Sequence, residues 1–211
     1  MPASLPDPIV VPWTMKTLDS AVTTLDFDER GRMRASIVHD VLHGVTPEML
    51  VWWFQNLRGT VEIEGHTHPR YRVWHPRDHV EHRYLRTPAA GDGVGSVFLI
   101  HEVLGRDPRY RVCVRTDVVR LDEGGFAHRP RFHGISGLVA MDYSWRRVPG
   151  GTRYENAITV GPALPRGLSI VQRAIRSLAF DEAHARAWLL HNVEEVGNLE
   201  HFLPALFHTE S

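Results

Sequence analysis

Apolar and polar residues alternate with period two in four stretches of this chain, residues 96–104, 110–121, 133–147 and 153–160, and each reads as a strand. Turn-forming runs separate them: 105–108, 122–125 and 149–151. An earlier strand is read over residues 32–42. A period near 3.6 replaces the alternation in two places. Thr46 as N-cap and Pro47 at the first helical position precede Leu50, Trp53, Phe54 and Leu57, a stripe ended by Gly59. After Pro162 and Pro165 the pattern is helical, with a break at Ala179 and Phe180. Asp181 then caps a long final helix that stops before Pro204. Residues 60–90 are polar, irregular and dense in histidine. Residues 1–17, with Pro2, Pro6, Pro8 and Pro12, read as extended and weakly ordered, which leaves 18–211 as a single domain. The order predicts an α+β fold, a curved antiparallel sheet wrapped around one long C-terminal helix, with a ligand-sized cavity between them.

Composition narrows the function. The 211 residues suffice for one sizeable core, and the net charge of −1 gives no reason to expect nucleic acid or an anionic membrane as partner. No apolar run approaches the ~20 residues that span a bilayer. The N-terminus has no basic region of a signal peptide, so a cytoplasmic location is the expectation. The single Cys113 lies in an apolar alternating run and reads as a small core residue rather than a nucleophile. The fourteen histidines run from His39 to His208 and form no tag. Histidine is the commonest metal ligand and a ready acid or base near neutrality.

The final helix carries the sharpest signal. At ~100° per residue, Trp188, His191, Glu195, Leu199 and Phe202 share an arc of roughly 80°. A carboxylate on such a face is costly unless neutralised, and a divalent metal would neutralise it. His191 and Glu195, at i and i+4, could reach one ion. An ordinary half-solvated His–Glu pair is the blander alternative. Glu194 points about 100° away, towards solvent.

Two further clusters carry chemistry. Tyr71 to His79 holds His75, Asp78 and His79 just before Glu81 and His82. A ligating imidazole needs an acceptor on its other nitrogen, which Asp78 or Asp40 could supply. Proline at 76 keeps His75 and His79 from projecting as a helical pair. In the strand ending Val97-Phe-Leu-Ile-His101-Glu102, alternation sends Phe98, Ile100 and Glu102 to one face and His101 to the other. His66 and His68 read as solvent-facing. Gly91 to Gly95 precedes no helix and makes no phosphate cradle, and no Gly-x-Ser-x-Gly elbow is present.

The segments Val38-His-Asp-Val-Leu-His-Gly-Val-Thr-Pro-Glu-Met-Leu-Val-Trp-Trp-Phe54, Tyr71 to His79 and His191-Asn-Val-Glu-Glu-Val-Gly-Asn-Leu-Glu-His-Phe-Leu-Pro204 resemble the 2,4-diacetylphloroglucinol hydrolase family, which includes phloretin hydrolase. The resemblance implies a START-like helix-grip fold. It also implies hydrolysis of the carbon–carbon bond between an acyl group and a polyhydroxylated ring, at one zinc ion (Zn2+) held by two histidines and two glutamates. It maps the ligands onto His79, Glu102, His191 and Glu195, although the spacing leaves another carboxylate open in place of Glu102, and His75 in place of His79. Tyr71 and His133 would then be catalytic. They would contact substrate, an acylated phenol, together with His82 and Tyr143.

The chain departs from the family pattern at His82, where an asparagine is expected. It also lacks much of the family's N-terminal helical region, which carries dimer contacts; a homodimer is kept as an expectation. A reading from another class remains beside the enzyme, namely a START-like protein that binds a small apolar or aromatic ligand without chemistry.

Overall fold

The computed structural model describes residues 5–132, 134–162, 164, 172–174 and 180–211. Eight strands form one continuous antiparallel path. In chain order they are β1 (Ala21–Phe27), β2 (Met33–His39), β6 (His79–Arg86), β7 (Val97–Val103), β8 (Arg111–Asp122), β9 (Gly125–Arg131), β10 (Val139–Val148) and β11 (Gly151–Val160). Their order across the sheet is β1-β2-β11-β10-β9-β8-β7-β6, and the short β3 (Leu42–His43) pairs with β11. Helix α1 (Pro47–Gln55), the hairpin β4 (Thr60–Ile63) and β5 (His66–Pro69), and the short α2 (Arg70–Trp74) lie between β3 and β6. The long α3 (Glu182–Glu210) closes the concave side. This is the α+β arrangement that the order of elements predicted, and the START-like helix-grip fold that the resemblance implied.

Local chemistry explains the helix starts. The Thr46 hydroxyl accepts from the Met49 amide with Pro47 at the first helical position. The Asp181 carboxylate accepts from the His184 amide at 2.9 Å. Helix α3 does not stop before Pro204 but runs through it to Glu210. Proline removes one helical hydrogen bond there. Buried Leu203 and Leu206, an edge contact of Trp52 on Phe207 and an Arg70–Glu210 ion pair hold the last two turns in place.

Other expectations need correction. Residues 60–78 are not irregular but form the hairpin and α2, and β6 follows from His79. The strand predicted over 133–147 starts only at Val139, as β10, and β9 (Gly125–Arg131) lies before it, where no strand was predicted. Strand β1 had no reading. Cys113 is exposed, because the inward phase of β8 belongs to Val112, Val114, Thr116 and Val118. The segment before β1 is extended but strapped down. The Ile9 amide bonds the Pro76 carbonyl at 3.0 Å, and Trp13 stacks on His201 and donates to Asn198 at 3.2 Å. The predicted break at Ala179 lies outside the described residues.

The core forms two clusters along α3. Ala185, Trp188, Leu189 and Val193 pack with Val139, Ile158 and Phe180 at its N-terminal half. Val196, Leu199, Phe202 and Leu203 pack with Trp53, Phe54, Trp74 and Phe126 further on. His191 and Glu195 flank the junction of the two.

Candidate metal centre

Four side chains from three elements converge at that junction. His79 and Glu102 face each other as partners across β6 and β7, and a register shift in β6 follows directly after His79. Phe98, Ile100 and Glu102 line the cavity, so the inward residue of the His101–Glu102 pair is the glutamate. His101 turns outward, with its Nε2 3.0 Å from Arg111. From α3 come His191 and Glu195, both buried. His79 Nε2 lies 3.3 Å from Glu195 Oε2 and 3.5 Å from Glu102 Oε1. His191 Nε2 lies 3.7 Å from Glu195 Oε2 and 3.8 Å from Glu102 Oε2. Ligands at about 2.1 Å around a tetrahedral zinc stand about 3.4 Å apart.

Both imidazoles are oriented from behind. His79 Nδ1 donates to the Tyr71 carbonyl at 2.6 Å, and His79 Nε2 is buried with no hydrogen-bond partner. His191 Nδ1 donates to Asp78 Oδ2 at 3.0 Å. Asp78 also accepts from the Gly105 amide at 2.8 Å, which anchors the carboxylate to the end of β7. In both rings Nε2 is the nitrogen left for an ion, and its partner on Nδ1 fixes the tautomer. Two carboxylates would balance a divalent charge. The donor set therefore fits zinc: two imidazoles, two carboxylates, and a buried nitrogen, His79 Nε2, without a hydrogen-bond partner among the described residues.

The electrostatics of the unliganded cluster follow from its burial. Burial alone would lower His191, but the Asp78 hydrogen bond and the charges of Glu195 and Glu102 overturn it and push the group up to about 9. Burial raises Glu195 to about 7. Burial pushes His79 down to about 4 against the pull of Glu102. The cluster thus carries protons that a cation would displace.

His75 does not join the four. It is buried, stacks on His191 with centroids 4.3 Å apart, and places Nε2 3.2 Å from Glu194 Oε2. Glu194 is therefore not directed to solvent as its helical phase suggested; the loop carrying His75 packs over that side of α3. His75, Asp78 and His191 form a second compact group, joined to the first through His191.

The remaining candidates divide. The Tyr71 hydroxyl bonds Glu102 Oε1, and its ring, like those of His82 and Tyr143, lines the cavity. His133 lies outside the described residues. The histidine that does line the cavity from the later strands is His128. Its Nδ1 is 2.6 Å from Thr116 Oγ1 and its Nε2 3.3 Å from the Tyr143 hydroxyl. A signal for it existed, since Phe126, His128 and Pro130 alternate directly after the Gly124–Gly125 turn. On the β4–β5 hairpin His66 is exposed and His68 half-buried.

Residues 33–112 match the model of the DAPG hydrolase PhiG domain. This stretch, somewhat over a third of the chain, is similar to that domain. The DAPG hydrolase match includes His79 and Glu102; His191 and Glu195 lie beyond it and join through the geometry above. No curated protein matches the chain. Among solved structures it is similar to the KanY protein (10% identity, covering 90% of this chain and 99% of that one, TM-score 0.49). It is similar also to a Rhodobacter sphaeroides protein (13% identity, 88% and 99%, TM-score 0.49). A third is protein Ms6760 from Mycobacterium smegmatis (11% identity, 90% and 100%, TM-score 0.46). Similarities this distant say nothing of function. Among the described residues no helix is long and apolar enough to cross a membrane.

Proposed function

We propose that the chain is a zinc-dependent hydrolase of the carbon–carbon bond between an acyl group and a polyhydroxylated aromatic ring. The observation that carries this reading is the buried, unpartnered Nε2 of His79, aimed at two carboxylates and within one cluster with His191. The DAPG hydrolase match supports the reaction class.

His79, Glu102, His191 and Glu195 would hold the ion. Zinc bound there supplies a Lewis acid that polarises an oxygen and acidifies water. In the net reaction, water's hydroxyl ends on the acyl carbon and its proton on the ring carbon, giving a carboxylic acid and the deacylated phenol. The ring can leave as a carbanion equivalent because its keto tautomer makes the departing carbon an enolate.

The side chains supply binding and proton handling. Burial, together with the nearby Glu102 charge, holds Tyr71 well above the usual phenol range, so it acts as a hydroxyl donor and never as a phenolate. Burial keeps His128 neutral, down to about 3. A neutral imidazole has one donor and one acceptor nitrogen, and here one nitrogen faces Tyr143 and the other Thr116. The His128–Tyr143 pair would orient ring hydroxyls and return a proton to the ring carbon as the bond breaks, the role first assigned to His133. Phe54 and Phe126, stacked with centroids 4.2 Å apart, form an aromatic wall at this end. The test is elemental analysis of purified protein together with turnover of a diacylphloroglucinol. About one zinc per chain and release of the carboxylic acid are expected. A protein that neither contains nor takes up zinc would sink the enzyme reading and leave the binding-protein alternative.

A further inference from the structure

The cavity spans both hydrophobic clusters, and its two halves differ in kind. On one side of the His191–Glu195 turn it is bordered by Tyr71, His82, His128 and Tyr143, four side chains with polar tips. On the other side its wall is Val112, Val139, Met141, Ile158, Phe180 and Trp188. The sheet register gives this side its place. Val112 lies opposite Glu102 on β7, Met141 opposite both His128 and Ile158, and Val139 one inward step beyond. Trp188 lies one turn before His191 on α3 and holds the N-terminal end of the cavity. Its indole nitrogen is not free. With the Asn192 amide turned to satisfy its neighbours, that side chain accepts from Trp188 Nε1 at 2.8 Å and donates to Glu195 Oε1 at 3.0 Å.

We infer that this second half is an acyl chamber, and that the substrate's acyl group is a purely apolar one of several carbons. The inference rests on the proposed hydrolase reading, which puts the scissile bond beside the four ligands and the ring among the polar tips. The acyl group then has one direction left. An acetyl group would leave most of the chamber's apolar wall without contacts. A hydroxyphenyl-bearing acyl group would bury its hydroxyl among Val112, Val139, Met141, Ile158 and Phe180, where the one polar side chain among the described residues lining that half, Asn192, already bonds Trp188 and Glu195. A saturated chain or an unsubstituted phenylalkyl group meets neither penalty. Specificity would thus come from the second half of the cavity, while the ring half sets the reaction.

The test is a series of monoacylphloroglucinols carrying acetyl, butanoyl, hexanoyl, 3-phenylpropanoyl and 3-(4-hydroxyphenyl)propanoyl groups. Dissociation constants are read by calorimetry on metal-free and zinc-loaded protein, and kcat/KM by release of the carboxylic acid. Binding should tighten by roughly fourfold per added methylene from acetyl to hexanoyl. The hydroxyphenyl compound should bind more weakly than its phenyl counterpart. Val139→Phe, which fills the chamber, should flatten the series; Met141→Phe is a second variant in case the first does not fold. Equal binding of acetyl and hexanoyl compounds would overturn the inference, as would a preference for the hydroxyphenyl compound. Tightening along the series without turnover would uphold the chamber and defeat the hydrolase reading. Binding of no member would defeat both.

Discussion

The imidazole of His79 lies flat on the phenol ring of Tyr71, with centroids 3.9 Å apart and planes 2° from parallel, while its Nδ1 bonds the Tyr71 backbone carbonyl. One residue thus fixes the other twice, by stacking and by a hydrogen bond. The Tyr71 hydroxyl continues the link to Glu102 on the next strand. Ring orientation, tautomer and one carboxylate are set together before any ion arrives.

Glu195→Gln should weaken zinc binding by more than ~100-fold, whereas Glu194→Gln should change it by less than ~10-fold. The first carboxylate faces His79 and His191, and the second faces His75. His79→Ala should likewise lose zinc, while His75→Ala should keep most of it at some cost in stability from the emptied stack on His191. Competition with a chromophoric chelator measures all four. Equal losses at 194 and 195 would mean that the helix phase of the site is wrong.

Asp78→Asn should lower zinc affinity by ~10–100-fold without touching a ligand. Asp78 holds the His191 Nδ1 proton and the Gly105 amide, so an amide in its place removes the charge that favours Nε2 as the coordinating nitrogen. Because an asparagine fills the same volume, folding should survive; a thermal midpoint within a few degrees of the parent, alongside the weakened zinc, is the expected pair of results.

Zinc affinity should rise with pH between 6 and 9. His191 at about 9 and Glu195 at about 7 hold protons in the metal-free cluster, and an ion must displace both. Each proton displaced is worth about tenfold per pH unit below its own pKa. Below 7 both protons oppose binding, and between 7 and 9 only that on His191 does. Calorimetry in two buffers of different ionisation heat, at pH 7.5, should show about one proton released per zinc. Affinity flat from pH 6.5 to 8.5 would contradict the buried geometry.

Acid should destabilise the fold well before its carboxylates are protonated. Burial pushes His39 down to about 4, and His82 and His128 down to about 3, against an ordinary 6.5. Their folded values are depressed, so below pH 6.5 the unfolded chain takes up protons that the native one refuses. The stability they contribute is therefore full above 6.5 and falls as pH drops towards 3–4, by up to about 1.4 kcal/mol per pH unit for each histidine. His79, at about 4, adds to the three; Glu195 works the other way between 4.5 and 7 and His191 between 6.5 and 9, so the four depressed histidines decide the sign between pH 6 and 5. Urea midpoints at pH 7.5, 6 and 5 test the sign, and His39→Gln should make the slope shallower.

The sequence revealed most where a single element carries the signal. The phase of α3 followed from Trp188, Leu199 and Phe202, which is why His191 and Glu195 could be paired, and both helix caps followed from Thr46-Pro47 and Asp181. It revealed least where two elements meet. Strand β6 was hidden because its outer face is Glu81, Arg83 and Arg86 and its inner face His82 and Tyr84, so the alternation is not one of hydrophobicity. Glu194 was misplaced because phase alone does not show that the His75 loop covers that side of the helix. The facing of His79 and Glu102 is a matter of strand register, which depends on the assembled sheet rather than on any local run.

The distribution of the four ligands over β6, β7 and α3 also sets an order of events. The sheet alone presents half a site, one imidazole and one carboxylate on neighbouring strands. The other half arrives with a helix whose tie to the loop, Asp78 to His191, spans 113 residues of chain. Until that helix docks there is no four-fold cage, and two ligands alone, one on the edge strand and one on its neighbour, would hold zinc poorly. If the four side chains hold zinc as proposed, loading would be the closing step of folding rather than its trigger, and a chain halted before its last helix would leave the metal pool untouched.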